Sequence, residues 1–222
     1  MDAVSNPYSP GAGRPPVALV GRDAQRRAWQ VALERIERDR GAQPVVLYGL
    51  RGVGKTVLLN EFAKVGRGRE WLVAAVEAGV GKSLRELLGE ALHGPLSDLV
   101  RPSAGRRLLK ALKTATSFKA SYDSSGTWSF GLDLSESSGG GADTGVLETD
   151  LGKLLKDVAD AAAEDGSGLA VLIDEAQDLS TEELTALCSI VHAAGQQGWH
   201  LTVALAGLPS LPRELAEAGQ VH

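Results

Sequence analysis

Residues 44–57 read PVVLYGLRGVGKTV, which is the most informative segment of the chain. The apolar run from Pro44 to Tyr48 is short and rich in β-branched residues, as in a strand buried on both faces of a parallel sheet. Residues 49–56 match the pattern G-x-x-x-x-G-K-[ST] at every required position. A helical pattern runs from Lys55 to Val65, so the match stands between a strand and a helix, where backbone N–H groups can wrap phosphates.

This glycine-rich stretch predicts a nucleotide-binding loop with distinct roles for its polar residues. Lys55 is expected to reach the β and γ phosphates, and Thr56 to ligate Mg²⁺. A second glycine-rich turn, Gly79 to Ser83, matches only half of the pattern, and we interpret it as an ordinary strand-to-helix turn. The predicted nucleotide contacts are Gly49, Leu50, Arg51, Gly52, Val53, Gly54, Lys55, Thr56 and Val57.

Another apolar run ends in two acids. Leu169 to Ile173 predicts a buried strand, and Asp174 and Glu175 follow it directly. The carboxyl ends of parallel strands form the sheet edge where ligands bind. Asp174 suits an outer-sphere contact to Mg²⁺, and Glu175 suits polarisation of an attacking water. We therefore predict Lys55 and Glu175 as catalytic residues, and Thr56 and Asp174 as metal-site residues.

The rest of the chain alternates strand and helix patterns. Further strands are predicted at Trp71 to Val76 and Leu201 to Leu205. Amphipathic helices are predicted over Asp23 to Arg40, over Ser83 to His93 with an end near Gly94-Pro95, and from Thr181 onward. Apolar strands separated by helices imply right-handed βαβ crossovers. We predict an α/β fold with a three-layer P-loop NTPase sheet of mostly parallel strands.

Two segments depart from this alternation. Residues 1–16 are rich in Pro, Gly and Ser and predict a disordered tail. Residues 95–145 predict an insertion with a helix and a β-hairpin, because apolar and polar residues alternate on both sides of a turn at residues 123–126. The predicted P-loop core is therefore 17–222, interrupted by this insertion.

Composition excludes several classes of protein. The chain has 222 residues, of which 43% are hydrophobic, and its 23 basic and 28 acidic residues give a net charge of −5. This charge argues against coating nucleic acid by bulk attraction. The apolar runs are far shorter than the ~20 residues of a membrane span, and no signal-peptide pattern begins the chain. We expect a cytoplasmic protein with no membrane partner and a buried, inert thiol at Cys188.

A local basic segment leaves a nucleic-acid partner open. Between Asp98 and Asp123 the sequence has six basic residues and no acidic one. Such clusters can hold phosphates, and nearby aromatic rings can stack on bases, although a charge run is more often a solvated helix face. The residues concerned are Arg101, Arg106, Arg107, Lys110, Lys113 and Lys119, with Phe118, Tyr122 and Trp128.

Four segments together resemble the AAA+/STAND class of ATPases, in particular the origin-recognition-type and archaeal-type AAA ATPases. They are Leu19 to Asp23, the loop at 49–56, Leu172 to Asp178, and Ala206 to Pro209. The resemblance covers about residues 17–215 and implies binding of ATP and Mg²⁺. It also implies a sheet order of 5-1-4-3-2 and adenine contacts from Val20, Gly21 and Arg22.

The resemblance also implies partners. Family members complete hydrolysis with an arginine from a neighbouring protomer, so we expect a homo-oligomer or a completing subunit. The family's fifth strand, arginine finger and C-terminal lid would follow Pro209, and we expect a fragment, a truncated product or a subunit completed by another chain. Ala206-Gly207 has none of the Asn, Thr or Ser residues that commonly sense the γ-phosphate in this family.

Three functions stay open. The intact Glu175 favours Mg-dependent ATP hydrolysis coupled to conformational change or assembly on a macromolecular partner. The missing lid and sensor favour a non-hydrolysing, nucleotide-gated interaction module, and the basic segment favours a DNA-associated ATPase subunit. A guanine-reading Asn-Lys-x-Asp motif is absent, and one predicted sheet cannot supply the second motor domain of a helicase.

Overall fold

A computed structural model describes residues 21–79, 81–99, 110–115 and 144–220. The predicted tail at 1–16, Val20 and the predicted β-hairpin lie outside these ranges. The strands are β1 (Val45–Tyr48), β2 (Leu72–Glu77), β3 (Leu169–Asp174) and β4 (Leu201–Gly207). The helices whose bounds are described are α1 (Asp23–Ile36), α2 (Lys55–Gly68), α3 (Leu84–Leu99), α4 (Leu147–Glu164), α5 (Thr181–Gln197) and α6 (Leu211–Gly219), and a 3₁₀ turn spans Ala176–Asp178.

The sheet of the described residues is entirely parallel, with the order β1-β4-β3-β2. Every residue of β3 and β4 is buried, which explains why both strands are mainly apolar in sequence, with Asp174 at the end of β3 and Thr202 in β4 as the polar exceptions. Tyr48 lies opposite Gly207, and Ile173 lies opposite Leu205, so the strands end at one common edge. The predicted α/β fold is confirmed, as is the 1-4-3-2 part of the predicted strand order.

Helices cover both faces of the sheet and bury two apolar cores. On one face, the rings of Trp29 in α1 and Phe62 in α2 stack with centroids 5.0 Å apart. Trp29 Nε1 also donates a hydrogen bond to the Phe62 carbonyl oxygen at 3.0 Å. On the other face, α3, α4 and α5 bury a larger set of leucines and alanines. Among the described helices, none combines the length and apolar character needed to cross a membrane.

Two helix ends differ from the sequence-based prediction. The prediction that α3 stops near Gly94-Pro95 is wrong, because α3 continues to Leu99 with Pro95 inside it. An internal proline costs a helix about 3 kcal/mol, but Leu92 and Leu96 lie four residues apart and are both buried, which offsets this cost. In α1, the helix ends at Ile36 rather than Arg40, because Asp39 has a left-handed backbone with φ of 54°.

A buried aspartate on α4 holds the chain where it returns at residue 144. Asp150 is fully buried and accepts hydrogen bonds from Arg85 and from the backbone N–H and hydroxyl of Thr144, at 2.9 and 2.8 Å for the two Thr144 contacts. Burial alone would raise the pKa of the Asp150 carboxyl, but these hydrogen bonds outweigh burial and hold the pKa below its ordinary value. Asp150 is therefore ionised and fully partnered.

A second aspartate on the same helix holds the segment 110–115. The Asp157 carboxylate accepts hydrogen bonds from Lys110 Nζ and Thr114 Oγ1, each at 2.7 Å, and from Lys153 Nζ at 3.1 Å. Burial alone would raise the pKa of Asp157, and these three donors together lower it. The two aspartates thus tie both described flanks of residues 116–143 to α4.

Replacing Asp150 by asparagine is expected to lower the free energy of unfolding by about 3–5 kcal/mol, because it removes a fully buried, ionised carboxylate that accepts hydrogen bonds from Arg85 and Thr144. Urea unfolding at pH 7 measures this change. The control is Asp160→Asn on the same helix, whose half-exposed pair with Lys156 is expected to contribute less than about 1 kcal/mol. Equal losses in both variants would contradict the assigned role of Asp150.

The effect of Asp150 also has a defined pH dependence. Its folded-state pKa lies below the ordinary value of about 3.9, so its stabilisation is complete above that pH and is lost as the pH falls through the folded-state pKa. The difference in unfolding free energy between the wild type and Asp150→Asn is therefore expected to narrow below about pH 4. A difference that stays constant from pH 7 to pH 3 would contradict this account.

Candidate functional site

The candidate site lies at the edge where the parallel strands end. The loop at 49–54 leaves β1, the acids at 174–175 end β3, and β4 runs between these two strands. The backbone N–H of Gly49 donates a hydrogen bond to the carbonyl oxygen of Gly207 at 3.2 Å, so the start of the loop is joined to the end of β4. The topology therefore brings the two sequence motifs to one edge, as predicted.

The backbone conformation and the close packing of the loop at 49–54 explain why glycines occur in it. Gly52 and Gly54 have φ of 80° and 85°, a left-handed backbone that residues with a side chain adopt at a cost. A Cβ atom on Gly49 would lie 3.2 Å from the Val53 side chain, so the loop folds back closely on its own start. Gly54 then forms the N-cap of α2. The loop and the first turn of α2 together form the arrangement that binds anions at a helix N-terminus.

Lys55 spans the mouth of this loop. Its side chain is largely buried, and its Nζ donates hydrogen bonds to the carbonyl oxygens of Gly49 at 3.1 Å and Leu50 at 3.0 Å. A phosphate oxygen is a stronger acceptor for an ammonium group than a neutral carbonyl, so Lys55 can exchange these bonds for a ligand. Thr56 is exposed in the next position, and Val57 is half-buried in the first turn of α2.

The two acids at the end of β3 differ in their surroundings. Asp174 is 8% exposed, and its Oδ1 accepts a hydrogen bond from the Glu175 backbone N–H at 2.9 Å. Glu175 is half-buried and has a left-handed backbone with φ of 49° and ψ of 39°. This conformation is uncommon for a residue with a long side chain and turns the chain sharply after the strand.

Gln177 connects Glu175 to the end of β4. Its side-chain Nε2 donates a hydrogen bond to Glu175 Oε2 at 2.9 Å, and its Oε1 accepts one from the Leu208 backbone N–H at 2.9 Å. Sequence reasoning gave Gln177 no role, although it belongs to the segment that carries the family resemblance. The signal that could have identified it is a polar side chain two residues after the acid at the end of an apolar strand.

A cleft of about 330 Å³ adjoins the phosphate-binding loop. The guanidinium of Arg22 donates to the Val53 carbonyl oxygen at 2.7 Å and thereby fixes one wall of this cleft to the loop. Gly21, at the start of the described chain, has φ of 78°. Residues that line the cleft include Arg22, Gln25, Val46, Tyr48, Val53 and Lys55. The cleft thus connects the predicted adenine contact Arg22 with the predicted phosphate contact Lys55.

Gln25 in α1 is a residue of this cleft that sequence reasoning missed. Its side-chain Oε1 is buried and has no hydrogen-bond partner among the described residues. A buried polar atom without a partner costs about 1–3 kcal/mol, so such atoms often await a ligand or water. No sequence pattern marks Gln25, because its burial depends on how α1 packs beside β1.

The donor set at this edge fits Mg²⁺ bound together with a nucleotide. Asp174 and Thr56 offer a carboxylate and a hydroxyl, and Mg²⁺ is commonly held by one or two carboxylates plus the phosphates of a substrate. The described ranges contain no group of three or more His, Cys, Asp or Glu side chains that could hold a metal ion by themselves. The residues therefore fit a cation whose coordination the phosphates of a ligand complete.

Two other predicted features take no part in this edge. At the turn before α3, the backbone N–H groups of Ser83 and Leu84 donate to the carboxylates of Glu86 and Glu183, at 2.7 and 2.6 Å. Carboxylates thus occupy donors that a phosphate would need, which favours the interpretation of residues 79–83 as a turn. Cys188 is half-buried rather than buried as predicted, and burial raises the pKa of its thiol, which disfavours the reactive thiolate.

The predicted basic segment is described only at Lys110 and Lys113. Because Lys110 is bound to Asp157, this residue serves the attachment of the segment 110–115 to α4. The other basic and aromatic residues of the nucleic-acid hypothesis lie outside the described ranges. That hypothesis stays a prediction.

Comparison with known proteins places this geometry in context. A family model described as AAA ATPase domain matches residues 18–204. Among curated proteins, none matches the sequence significantly. Solved structures do match, and one of them is the crystal structure of Cdc6p from Pyrobaculum aerophilum, with a TM-score of 0.52 and 15% identity. The match covers 95% of this chain and 46% of that chain, so this chain spans about half of its length, and the likeness shows a shared fold.

Proposed function

Because the chain belongs to the AAA ATPase domain family, we propose that it binds Mg·ATP at the carboxyl edge of its sheet and hydrolyses ATP to ADP and phosphate. The observation that carries the proposal is the meeting at this edge of Lys55, at the mouth of a glycine loop, with the carboxylates of Asp174 and Glu175. The loop supplies donors for phosphates, and β3 supplies acceptors for a cation and a water. A nucleotide bound with Mg²⁺ needs both the phosphate donors and the carboxylate acceptors.

We assign the residues of this edge three separate roles in hydrolysis: binding the phosphates, holding Mg²⁺ and activating a water. Backbone N–H groups of residues 49–54 and the Lys55 ammonium hold the phosphates and offset their charge. Mg²⁺, held by Thr56 and Asp174, would supply further neutralisation of the phosphate oxygens. Glu175 orients a water and accepts its proton as the water oxygen bonds to the γ-phosphorus and the bond to the β,γ-bridging oxygen breaks.

Release of inorganic phosphate by the purified chain is the direct test of this function. We expect the release of phosphate from ATP to depend on Mg²⁺. Because family members complete one another's sites, we also expect the rate per protein molecule to rise with protein concentration. Tight binding of ATP without phosphate release would favour the nucleotide-gated interaction module instead. Absence of ATP binding would contradict both functions.

The cleft beside Arg22 and Gln25 is proposed to receive the adenine base. The orphan Gln25 Oε1 is an acceptor, and adenine presents an amino donor at the position where guanine presents an oxygen. A base bound there would therefore satisfy a buried atom that lacks a partner in the nucleotide-free chain. Arg22 would stay on the Val53 carbonyl and hold the cleft beside the phosphate loop.

Replacing Gln25 by methionine is expected to weaken ATP binding about 3- to 10-fold and to leave GTP binding unchanged, because one neutral hydrogen bond contributes about 0.5–1.5 kcal/mol. Titration calorimetry with both nucleotides measures the two affinities. Gln30→Met, on the same helix but outside the cleft lining, serves as the matched control. An unchanged ratio of ATP to GTP affinity in Gln25→Met would contradict this placement of the base.

A further inference from the structure

The side-chain amide of Gln177 is fixed at both ends. A carboxylate can only accept and a backbone N–H can only donate, so the partners Glu175 and Leu208 determine which end of the amide is nitrogen and which is oxygen. Both contacts are 2.9 Å long, a normal length for such bonds. Among the described residues, Gln177 alone donates a hydrogen bond to the Glu175 carboxylate.

The end of β4 has the shape that this contact requires. A Cβ atom on Gly207 would lie 2.8 Å from Gln177 Oε1, closer than real Cβ contacts allow. The amide of Gln177 therefore occupies the space that a side chain at position 207 would take. The absence of a side chain at Gly207 lets Gln177 reach the Leu208 N–H across from the 3₁₀ turn.

These contacts form a continuous chain of hydrogen bonds from the phosphate loop to Glu175. The Gly49 N–H donates to the Gly207 carbonyl oxygen at 3.2 Å, the next residue's N–H donates to Gln177, and Gln177 donates to Glu175. The first residue of the loop that would hold phosphates is thus linked through β4 to the carboxylate that would orient water. The chain runs through backbone groups at every point except Gln177 and Glu175.

The bond from Gln177 also restricts a side chain that has few other restraints. Glu175 is half-buried at a left-handed turn, and within the described ranges its carboxylate accepts its side-chain hydrogen bond from Gln177. The hydrogen bond occupies Oε2 and leaves Oε1 available to a water molecule. A donor on one carboxylate oxygen therefore sets the direction of the other.

We propose that Gln177 is a positioning residue that sets the Glu175 carboxylate relative to the phosphate-binding loop through the end of β4. The proposal rests on the proposed ATP hydrolysis and assigns Gln177 to its chemical step rather than to binding of ATP. Gln177 touches Glu175 and β4, and it acts on the reaction only through Glu175.

Two substitutions of similar length separate the two halves of the amide. Gln177→Glu keeps an acceptor for the Leu208 N–H but replaces the donor to Glu175 by a second carboxylate. Gln177→Met removes both hydrogen bonds. We expect both variants to lower kcat about 10- to 100-fold, the range for a misplaced catalytic group, while KM and the Kd for ATP change less than about twofold.

Hydrogen exchange of the Leu208 amide in the nucleotide-free protein provides a readout independent of turnover. Protection of this amide is expected to persist in Gln177→Glu and to fall in Gln177→Met, because only the former keeps its acceptor. A purely structural role predicts that turnover follows this protection, so that Gln177→Glu would retain the wild-type kcat. Loss of kcat with retained protection in Gln177→Glu is the result that the proposal predicts.

Combination with Glu175→Gln distinguishes action through Glu175 from a general disturbance. Gln177→Met is expected to change the residual single-turnover rate of Glu175→Gln less than about twofold, because residues that act as a unit are not additive. An equal loss in both backgrounds, or a kcat of Gln177→Met within twofold of the wild type, would overturn the proposal while leaving ATP hydrolysis intact. Absence of wild-type turnover would overturn the proposed function and this role together.

Discussion

Replacing Lys55 by alanine is expected to abolish measurable ATP binding. In the nucleotide-free chain its ammonium is held by the carbonyl oxygens of Gly49 and Leu50, at the place where phosphates would enter. In the complex the ammonium is expected to donate two charge-assisted hydrogen bonds to the phosphates, of about 1.5–3 kcal/mol each. Their loss corresponds to at least about a 100-fold loss of affinity for ATP. Titration calorimetry with Mg·ATP measures this change.

The matched control for Lys55 is Lys64→Ala, which removes an exposed ammonium from the same helix. This variant is expected to bind ATP like the wild type. Thermal unfolding of both variants without nucleotide verifies that the loop has not collapsed. If Lys55→Ala retained wild-type affinity, the assignment of residues 49–56 as the phosphate site would be wrong.

Replacing Glu175 by glutamine is expected to preserve ATP binding and to remove turnover. Glutamine has nearly the same shape and can still accept the hydrogen bond from Gln177, so the turn after β3 should persist. It cannot accept a proton from water, and loss of a general base costs about 10²- to 10⁴-fold in rate. Single-turnover phosphate release with ATP in excess over its Kd measures this effect.

The control for Glu175 is Asp178→Asn, which neutralises an exposed carboxylate in the same 3₁₀ turn. Its rate is expected to stay within about twofold of the wild type, because a solvated charge outside the site contributes little. A Glu175→Gln variant that turns over ATP as fast as Asp178→Asn would exclude Glu175 as the activating carboxylate. A function as a nucleotide-gated interaction module would remain possible in that case, because it does not require Glu175 to activate a water.

Local sequence patterns are sufficient to predict the strands, the loop at 49–56 and the two acids at the end of β3. The loop at 49–56 has glycines where its backbone is left-handed, and the buried strands β3 and β4 are mainly apolar. These patterns predict the strands, the sheet edge and the two acids that end β3. The family match over residues 18–204 confirms the predicted resemblance to AAA+ ATPases.

The parts that sequence reasoning missed depend on tertiary packing. The continuation of α3 through Pro95 follows from burial of Leu96, which no local rule for proline anticipates. The role of Gln177 depends on a left-handed Glu175 and on the missing side chain of Gly207, two residues that meet only after the sheet forms. The orphan oxygen of Gln25 likewise exists only because α1 lies beside the loop.

Thermal unfolding of the wild-type chain and of Lys55→Ala, with Mg·ATP and with Mg·GTP at equal concentration, shows whether the loop at 49–56 binds an adenine nucleotide. Ligand at 100 times its Kd stabilises a protein by about 2.7 kcal/mol, which raises the Tm of a domain of this size by roughly 5–10 °C. We expect a rise in Tm that is larger with ATP than with GTP and absent in Lys55→Ala. A cooperative transition that neither nucleotide shifts, or an equal ATP shift in both proteins, would contradict an adenine-nucleotide site at this loop.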